Sequence, residues 1–405
     1  MPRDFSTSFL VIAILAVLLL RPVGLPAQAF RDPGTTAIVN ARVIPMTSDE
    51  VLEDHAVLVE GERIAWIGPT SELDAPPGTT VIDADGGWVL PGLVDLHVHL
   101  DRDDLEAYVR HGVTTVRNMW GFPAVWEMKA GIDSGELLGP TIFTVSSGLD
   151  GTPPKWPLTQ FVTDPADADS VVALQAENGY RTLKLYQDLT RPAYDAIVEA
   201  ARTRGLEFVG HVPHRVGLER ALEAGQRSLE HLGGFETLLA PGGGRGLAAW
   251  ARIDRERIPF VAAAVEEAGS AVVPTQAIVR NMQRGLPAAI RGAGFENRAR
   301  VIRALHEAGV PVLVGTDSGI GVTEPGASMV DEIRELHAAG LSRREALEAA
   351  TTKAAAFLGG SDEFGAVAVG MRADLLLLEA NPLDDLDALA RPAGVMARGN
   401  WIPVE

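Results

Sequence analysis

Leu93-Val-Asp-Leu-His-Val-His99 reads as a short apolar strand that finishes on two histidines, and the architecture can be worked outward from it. Residues two apart on a strand share a face, so His97 and His99 can both turn their imidazoles toward one ion. Further along, short apolar runs alternate with amphipathic stretches. Candidate strands lie at 93–97, 114–119, 141–146, 182–186, 207–211, 228–231, 271–275 and 311–317. Between them, stretches such as 192–204, 296–308 and 343–358 place apolar residues at i, i+3 and i+4 and charges elsewhere, the helical pattern. Strands alternating with helices predict an α/β fold, a (β/α)8 TIM-type barrel over residues 92–359.

Both ends of the chain look different. Residues 36–43, 56–68 and 81–90 read as strands without intervening helices, with Gly61-Glu62 as a hairpin turn; 373–378 and 395–404 do the same, with Gly399-Asn400 as the turn. The economical expectation is a small β-sandwich domain built from both chain ends, residues 30–91 and 360–405, flanking the barrel. The glycine-rich stretch Pro241-Gly-Gly-Gly-Arg245 reads as a loop near the mouth of the barrel.

Composition narrows the partners. Hydrophobic residues are 46% and charged residues 22% of the chain, enough for a large core. A net charge of -19 and a pI near 4.9 repel phosphate backbones, which excludes nucleic acid as a partner. At the start of the chain, Arg3, an unbroken apolar run from Phe9 to Leu20 and Ala27-Gln-Ala29 follow the order of a cleavable export signal spanning residues 1–29. Twelve apolar residues, stopped by Arg21-Pro22, fall short of the roughly 20 that span a bilayer. The expectation is therefore an exported protein, periplasmic or secreted, with no membrane partner after cleavage. The absence of cysteine rules out disulfides, a lipoprotein anchor and thiolate metal sites. Self-association into a homo-oligomer stays open.

The chemistry lies in where the polar residues fall. Besides His97 and His99, His211 ends the fifth candidate strand, His231 the sixth and Asp317 the eighth, while Lys184 sits within the fourth between Leu183 and Leu185. Strand C-termini form the catalytic face of such barrels. A lone His-x-His carries little weight. Four histidines and an aspartate, two paired on the first strand and the others each ending a separate one, carry much more, and imidazoles with a carboxylate suit Zn²⁺. His55, His111, His306 and His337 fall elsewhere and read as structural. For substrate, Tyr186 shares a face with Lys184, and His214 lies near the catalytic mouth, placed to bind a carbonyl or a carboxylate. Arg280, with Asn281, follows the seventh strand as a second carboxylate binder. Trp120, Trp156 and the 148–157 loop read as an apolar wall.

Pro91-Gly-Leu-Val-Asp-Leu-His-Val-His99, Ser228-Leu-Glu-His231, Gly315-Thr-Asp-Ser318 and Ala346-Leu-Glu-Ala-Ala-Thr351 with Gly370-Met-Arg-Ala-Asp374 resemble the amidohydrolase superfamily. More narrowly they resemble its imidazolonepropionase-like and Xaa-Pro-dipeptidase-like branch. The resemblance implies a binuclear centre of two divalent metal ions. His97, His99 and Asp317 would hold the more buried ion and His211 and His231 the more exposed one. Lys184, carboxylated on its amine, would bridge them. It also implies hydrolysis of an amide or peptide-type C–N bond by water activated between the ions, with Asp317 as catalytic proton carrier. The expected substrate is a small molecule or short peptide, a dipeptide or an N-acyl amino acid. Alternatives are a lactonase or phosphotriesterase on the same centre, a cyclic-amide hydrolase, a deaminase, and a non-catalytic binding protein. Against deamination, related deaminases carry a glutamate three residues after the fifth-strand histidine, where this chain has His214.

Overall fold

The computed structural model describes residues 34–153 and 155–404; the leader segment read in residues 1–29 lies outside them. The chain opens with β1 (Thr35–Val43), β2 (Leu52–Glu60), β3 (Arg63–Pro69), β4 (Thr80–Asp83) and β5 (Trp88–Pro91). Nine short central strands follow: β6 (Leu93–Val98), β7 (Val113–Asn118), β8 (Thr141–Thr144), β9 (Gly148–Asp150), β10 (Gln160–Phe161), β11 (Thr182–Leu185), β12 (Glu207–Gly210), β13 (Ser228–Glu230) and β14 (Ala271–Val273). The last three are β15 (Leu375–Leu378), β16 (Gly394–Ala397) and β17 (Asn400–Pro403).

The terminal strands do assemble together, but as one sheet rather than a two-sheet sandwich. Eight strands join in the order β17-β16-β15-β5-β1-β2-β3, with β4 beside β1. The cause lies in β1. Register breaks after Ile38 and after Ala41, with Asn40 at φ 54, bend the strand so that its first half pairs β4 and its second half pairs β5. The sheet curls round its own core of Ile38, Val43, Val57, Ile64, Val89, Leu375 and Leu377. Leu376 and Leu378, on the other face of β15, pack instead into the central core. A strand buried on both faces must be apolar throughout, which accounts for Leu375-Leu-Leu-Leu378. The first turn is Gly61-Glu62 as expected, between the paired Glu60 and Arg63. The last is Arg398-Gly399, one residue earlier than the sequence suggested. Its two central residues take φ 47 and φ 75, the double positive φ of a tight hairpin turn, and Asn400 pairs with Ala397.

The central strands form an α/β fold with two parallel sheets, β6-β7-β8 and β10-β9-β11-β12-β13-β14. The eighth expected strand, residues 311–317, appears only as isolated bridges, Val312 to Val272 and Ser318 to Val98. It still donates and accepts on both sides: Leu313 N to Val272 O at 2.9 Å, Leu96 N to Val314 O at 3.0 Å and Asp317 N to His97 O at 2.7 Å. Asp317 at φ 54 interrupts the regular ladder. Gly315 is required there, because a Cβ would lie 2.8 Å from the His97 Cβ. At the other seam, Ser146 N donates to Thr182 O at 2.9 Å.

Helices cover the sheets. The Arg191–Thr203 helix starts where Thr190 accepts the Ala193 N–H, and it buries Ala193, Tyr194, Ile197, Val198 and Ala201 along one stripe. The stretch expected at 296–308 is longer, Ala288–Glu307, and begins directly after Pro287. The stretch expected at 343–358 is two helices, Arg343–Ala349 and Thr352–Phe357, broken at Thr351 where φ is -136 and ψ is -97. No helix among the described residues is long and apolar enough to cross a membrane.

Candidate metal centre

Four imidazoles meet above the ends of β6, β12 and β13. Ring centroids lie 5.5 Å apart for His97 and His99, 4.7 Å for His97 and His231, and 4.6 Å for His211 and His231. Asp317 enters from the 311–318 segment, its Oδ1 3.0 Å from His99 Nε2 and 3.3 Å from His97 Nε2. Ligand atoms of His97, His99 and Asp317 all fall within 4.8 Å of one another, a spacing that fits a shared ion. Lys184, 1% exposed, lines the same cavity as His99, His211, His231 and Asp317. All six residues singled out as a metal set therefore converge on one place.

The electrostatics suit cation binding. Burial pushes His97 and His211 well below the ordinary imidazole range, and lowers His231 as well, so their nitrogens carry lone pairs at neutral pH. Burial opposes charge on Asp317, yet the carboxyl is held well below its usual range, with the His99 N–H donating to it. Burial lowers the Lys184 amine to about 8. Its Nζ is buried with no hydrogen-bond partner among the described residues, and His97 Nε2 is likewise unpartnered. Two orphaned buried nitrogens in one cluster are costly for a closed protein interior and natural for a site completed by cations.

Three of the four histidines are steered by a neighbour. His97 Nδ1 lies 2.8 Å from Glu230 Oε2, leaving Nε2 for the centre. Glu230, fully buried, also accepts from Arg117 at 3.0 Å and from the Ser228 hydroxyl. His231 Nδ1 lies 2.7 Å from Thr275 Oγ1, and the Gln187 amide lies 3.1 Å from His211 Nδ1. Such partners fix ring orientation and tautomer in metal sites. The motif reading passed over them. Arg117, a charge inside a strand buried along its whole length, was the one legible signal; nothing in the sequence marks Thr275.

A cavity of about 600 Å³ opens over the centre. Tyr186, on its wall, accepts a 2.6 Å hydrogen bond from Trp156 Nε1, and burial raises its phenol to about 12. Trp156 stacks on His99 with centroids 6.4 Å apart, so it forms part of the wall, and Trp120 meets Tyr186 edge-on. His214 sits on the cavity rim, its pKa lowered by partial burial and by Arg245. Arg280 does not reach the cavity. It forks onto Glu335 at 2.6 Å through both nitrogens and stacks on Phe295, which uses its donors on the outer side of the Gln276–Met282 helix. Ile278, Val279 and Met282 of that helix face the cavity instead, as do Arg298 and the loop residue Arg245. The remaining histidines are engaged elsewhere: His55 with Glu53 O, His111 with Ala107 O, His306 with Glu345 and His337 with Leu341 O.

Residues 88–402 match the amidohydrolase family, and the chain belongs to it. That membership defines the class: a metal-dependent hydrolase. Among curated relatives, an adenine deaminase of Ruegeria sp. (strain TM1040) is 25% identical over 402 residues; the match covers 95% of this chain but 61% of that relative's length. Among solved structures, a Bifidobacterium longum protein provisionally described as a prolidase superposes with a TM-score of 0.76 at 26% identity, covering 92% of this chain and 95% of the other. A Xaa-Pro dipeptidase with methionine bound in its active site gives 0.73 at 23% identity, covering 91% of this chain and 100% of the other.

Proposed function

We propose that this chain is an exported amidohydrolase that cleaves an amide or peptide-type C–N bond in a dipeptide or N-acyl amino acid. In this reading the two parallel sheets and the 311–318 segment form one (β/α)8 barrel. Two divalent ions, with zinc suited to the imidazole-rich set, would be held by His97, His99, Asp317, His211 and His231, with a carboxylated Lys184 as a further anionic ligand. The observation that carries the proposal is the buried, unpartnered Lys184 amine among four histidines and an aspartate. A buried lysine ammonium without a hydrogen-bond partner is costly; as a carbamate the side chain would be an anionic bidentate ligand. The ions, when bound, supply an activated water and polarise the scissile carbonyl.

The remaining work belongs to side chains. Glu230 holds His97 by Nδ1, so that Nε2 faces Asp317. Asp317, held anionic, takes the proton of the attacking water and returns it to the leaving nitrogen, which cannot depart as an amide anion. Tyr186 stays protonated at neutral pH and already accepts from Trp156, so its own proton is free to bind a substrate oxygen. Trp156, stacked on His99, keeps bulk water from that side of the centre. His214 on the rim is placed for a substrate carboxylate.

A second reading, release of ammonia from adenine, is favoured by the curated relative named above. His214 in place of a glutamate, and Lys184 among the ligand set, weigh against it. The test is one plate with metal-loaded protein: dipeptides including Xaa-Pro, N-acyl amino acids, adenine, a lactone and a phosphotriester. Hydrolysis of dipeptides or N-acyl amino acids supports the proposal. Turnover confined to adenine, or to the lactone and phosphotriester, overturns it. Asp317→Asn is expected to abolish turnover while most metal stays bound.

A further inference from the structure

Backbone strain gathers round this centre: His231 has φ 63, Asp317 φ 54 and Thr275 φ 47. Thr275 is the most telling, since a β-branched residue in the left-handed region is a true outlier and glycine or asparagine would sit there more easily. Thr275 is fully buried, with φ 47 and ψ 51. Strain of this kind persists only where the surroundings over-determine it.

The surroundings do so on both flanks. The Arg298 guanidinium, 3% exposed, donates to His231 O at 3.1 Å, to Pro274 O at 3.0 Å and to the Gln276 side-chain carbonyl. It thereby ties the His231 turn to the residues on either side of Thr275. From the other side, the fully buried Glu332 accepts the Ala277 N–H at 2.8 Å. What this clamp achieves is a 2.7 Å contact between Thr275 Oγ1 and His231 Nδ1. The same Nδ1 lies 3.8 Å from Asp317 Oδ2, beyond hydrogen-bond range.

We propose that Thr275 is a positioning residue: its hydroxyl accepts the His231 Nδ1 proton, fixes the tautomer that leaves Nε2 unprotonated for an ion, and keeps His231 from turning its N–H onto Asp317. The strained turn, clamped by Arg298 and Glu332, is the structural means to that end. This rests on the two-ion reading of the centre.

The test is metal affinity, not turnover. Metal-stripped wild type, Thr275→Val, Thr275→Ser and Thr275→Gly are titrated with Zn²⁺ against a chromophoric chelator, with Co²⁺ absorption as a second readout of coordination. Wild type should take two equivalents. Val, isosteric without an acceptor, and Gly, which relaxes the backbone without an acceptor, should each weaken one equivalent about 10–100-fold and leave the other unchanged. Ser should keep both. Wild-type affinities in Val and Gly would overturn the inference, and so would a Ser variant as weak as Val, which would point to packing. Should Val fail to fold, the Gly and Ser pair decides. A wild type that takes only one equivalent sinks the two-ion reading itself, and the inference with it.

Discussion

Replacing Arg117 by methionine strands a charge. Glu230 is fully buried and takes three donors: the His97 ring, the Ser228 hydroxyl and the Arg117 guanidinium. Only Arg117 brings full charge, at 3.0 Å, and only 3% of that residue is exposed. With the guanidinium gone, Glu230 keeps two donors and no water. Breaking one side of a buried ion pair costs about 3–5 kcal/mol, far above the few tenths typical of surface substitutions. Glu230→Gln should cost a similar amount, because Arg117 is then the uncompensated charge. The double variant Arg117→Met/Glu230→Gln removes both charges and should be less damaging than the sum, with a coupling energy of about 1–3 kcal/mol. A second effect reaches the centre: a Glu230 deprived of Arg117 is no longer fixed in place to accept from His97, so metal affinity should fall about 10–100-fold. Urea unfolding of metal-free protein reads the first effect and chelator competition the second. An Arg117→Met variant within about 1 kcal/mol of wild type, with strictly additive singles, would refute the idea that this pair is what orients His97.

Two further outcomes test the buried charges. Carboxylation needs the neutral Lys184 amine, and with its pKa lowered to about 8 roughly 25-fold more of it is neutral at pH 8.5 than at pH 6.5. Bicarbonate should therefore speed reconstitution with metal far more at the higher pH, and intact-mass analysis should show one added carbon dioxide; a rate indifferent to pH and bicarbonate would remove the carbamate. Burial raises the Glu332 carboxyl from 4.5 to about 8. The folded state then binds that proton more tightly, so its contribution to stability falls as pH rises from about 5 to 8, by up to a few kcal/mol. Glu332→Gln should flatten this fall in melting temperature, and an unchanged pH dependence would show that Glu332 does not carry it.

The sequence made the candidate ligand set legible because chemistry and strand position coincide: His97, His99, His211, His231 and Asp317 each follow an apolar run. Lys184 stood out as a charge between two leucines that had to be buried. What stayed hidden depends on contacts far apart in the chain. Arg280 looked available after the seventh strand, but its partner Glu335 lies 55 residues on, and nothing local announces the pair. Thr275 gains meaning only through a turn that Arg298 and Glu332 enforce. The pairing of β5 with β15 was legible as shared β character but not as a single sheet, since the register breaks in β1 that bend it leave no mark in its apolar alternation.

The seam between β5 and β15 also sets an order of events. Leu90 pairs with Leu376, across nearly the whole central region. Until β15 is in place, the outer edge of β5 is therefore bare. Open strand edges invite pairing with other chains. Loss of β15 should then yield an aggregation-prone chain even though every candidate ligand of the centre is still present, so the strand that closes this seam guards the solubility of a site to which it contributes no ligand.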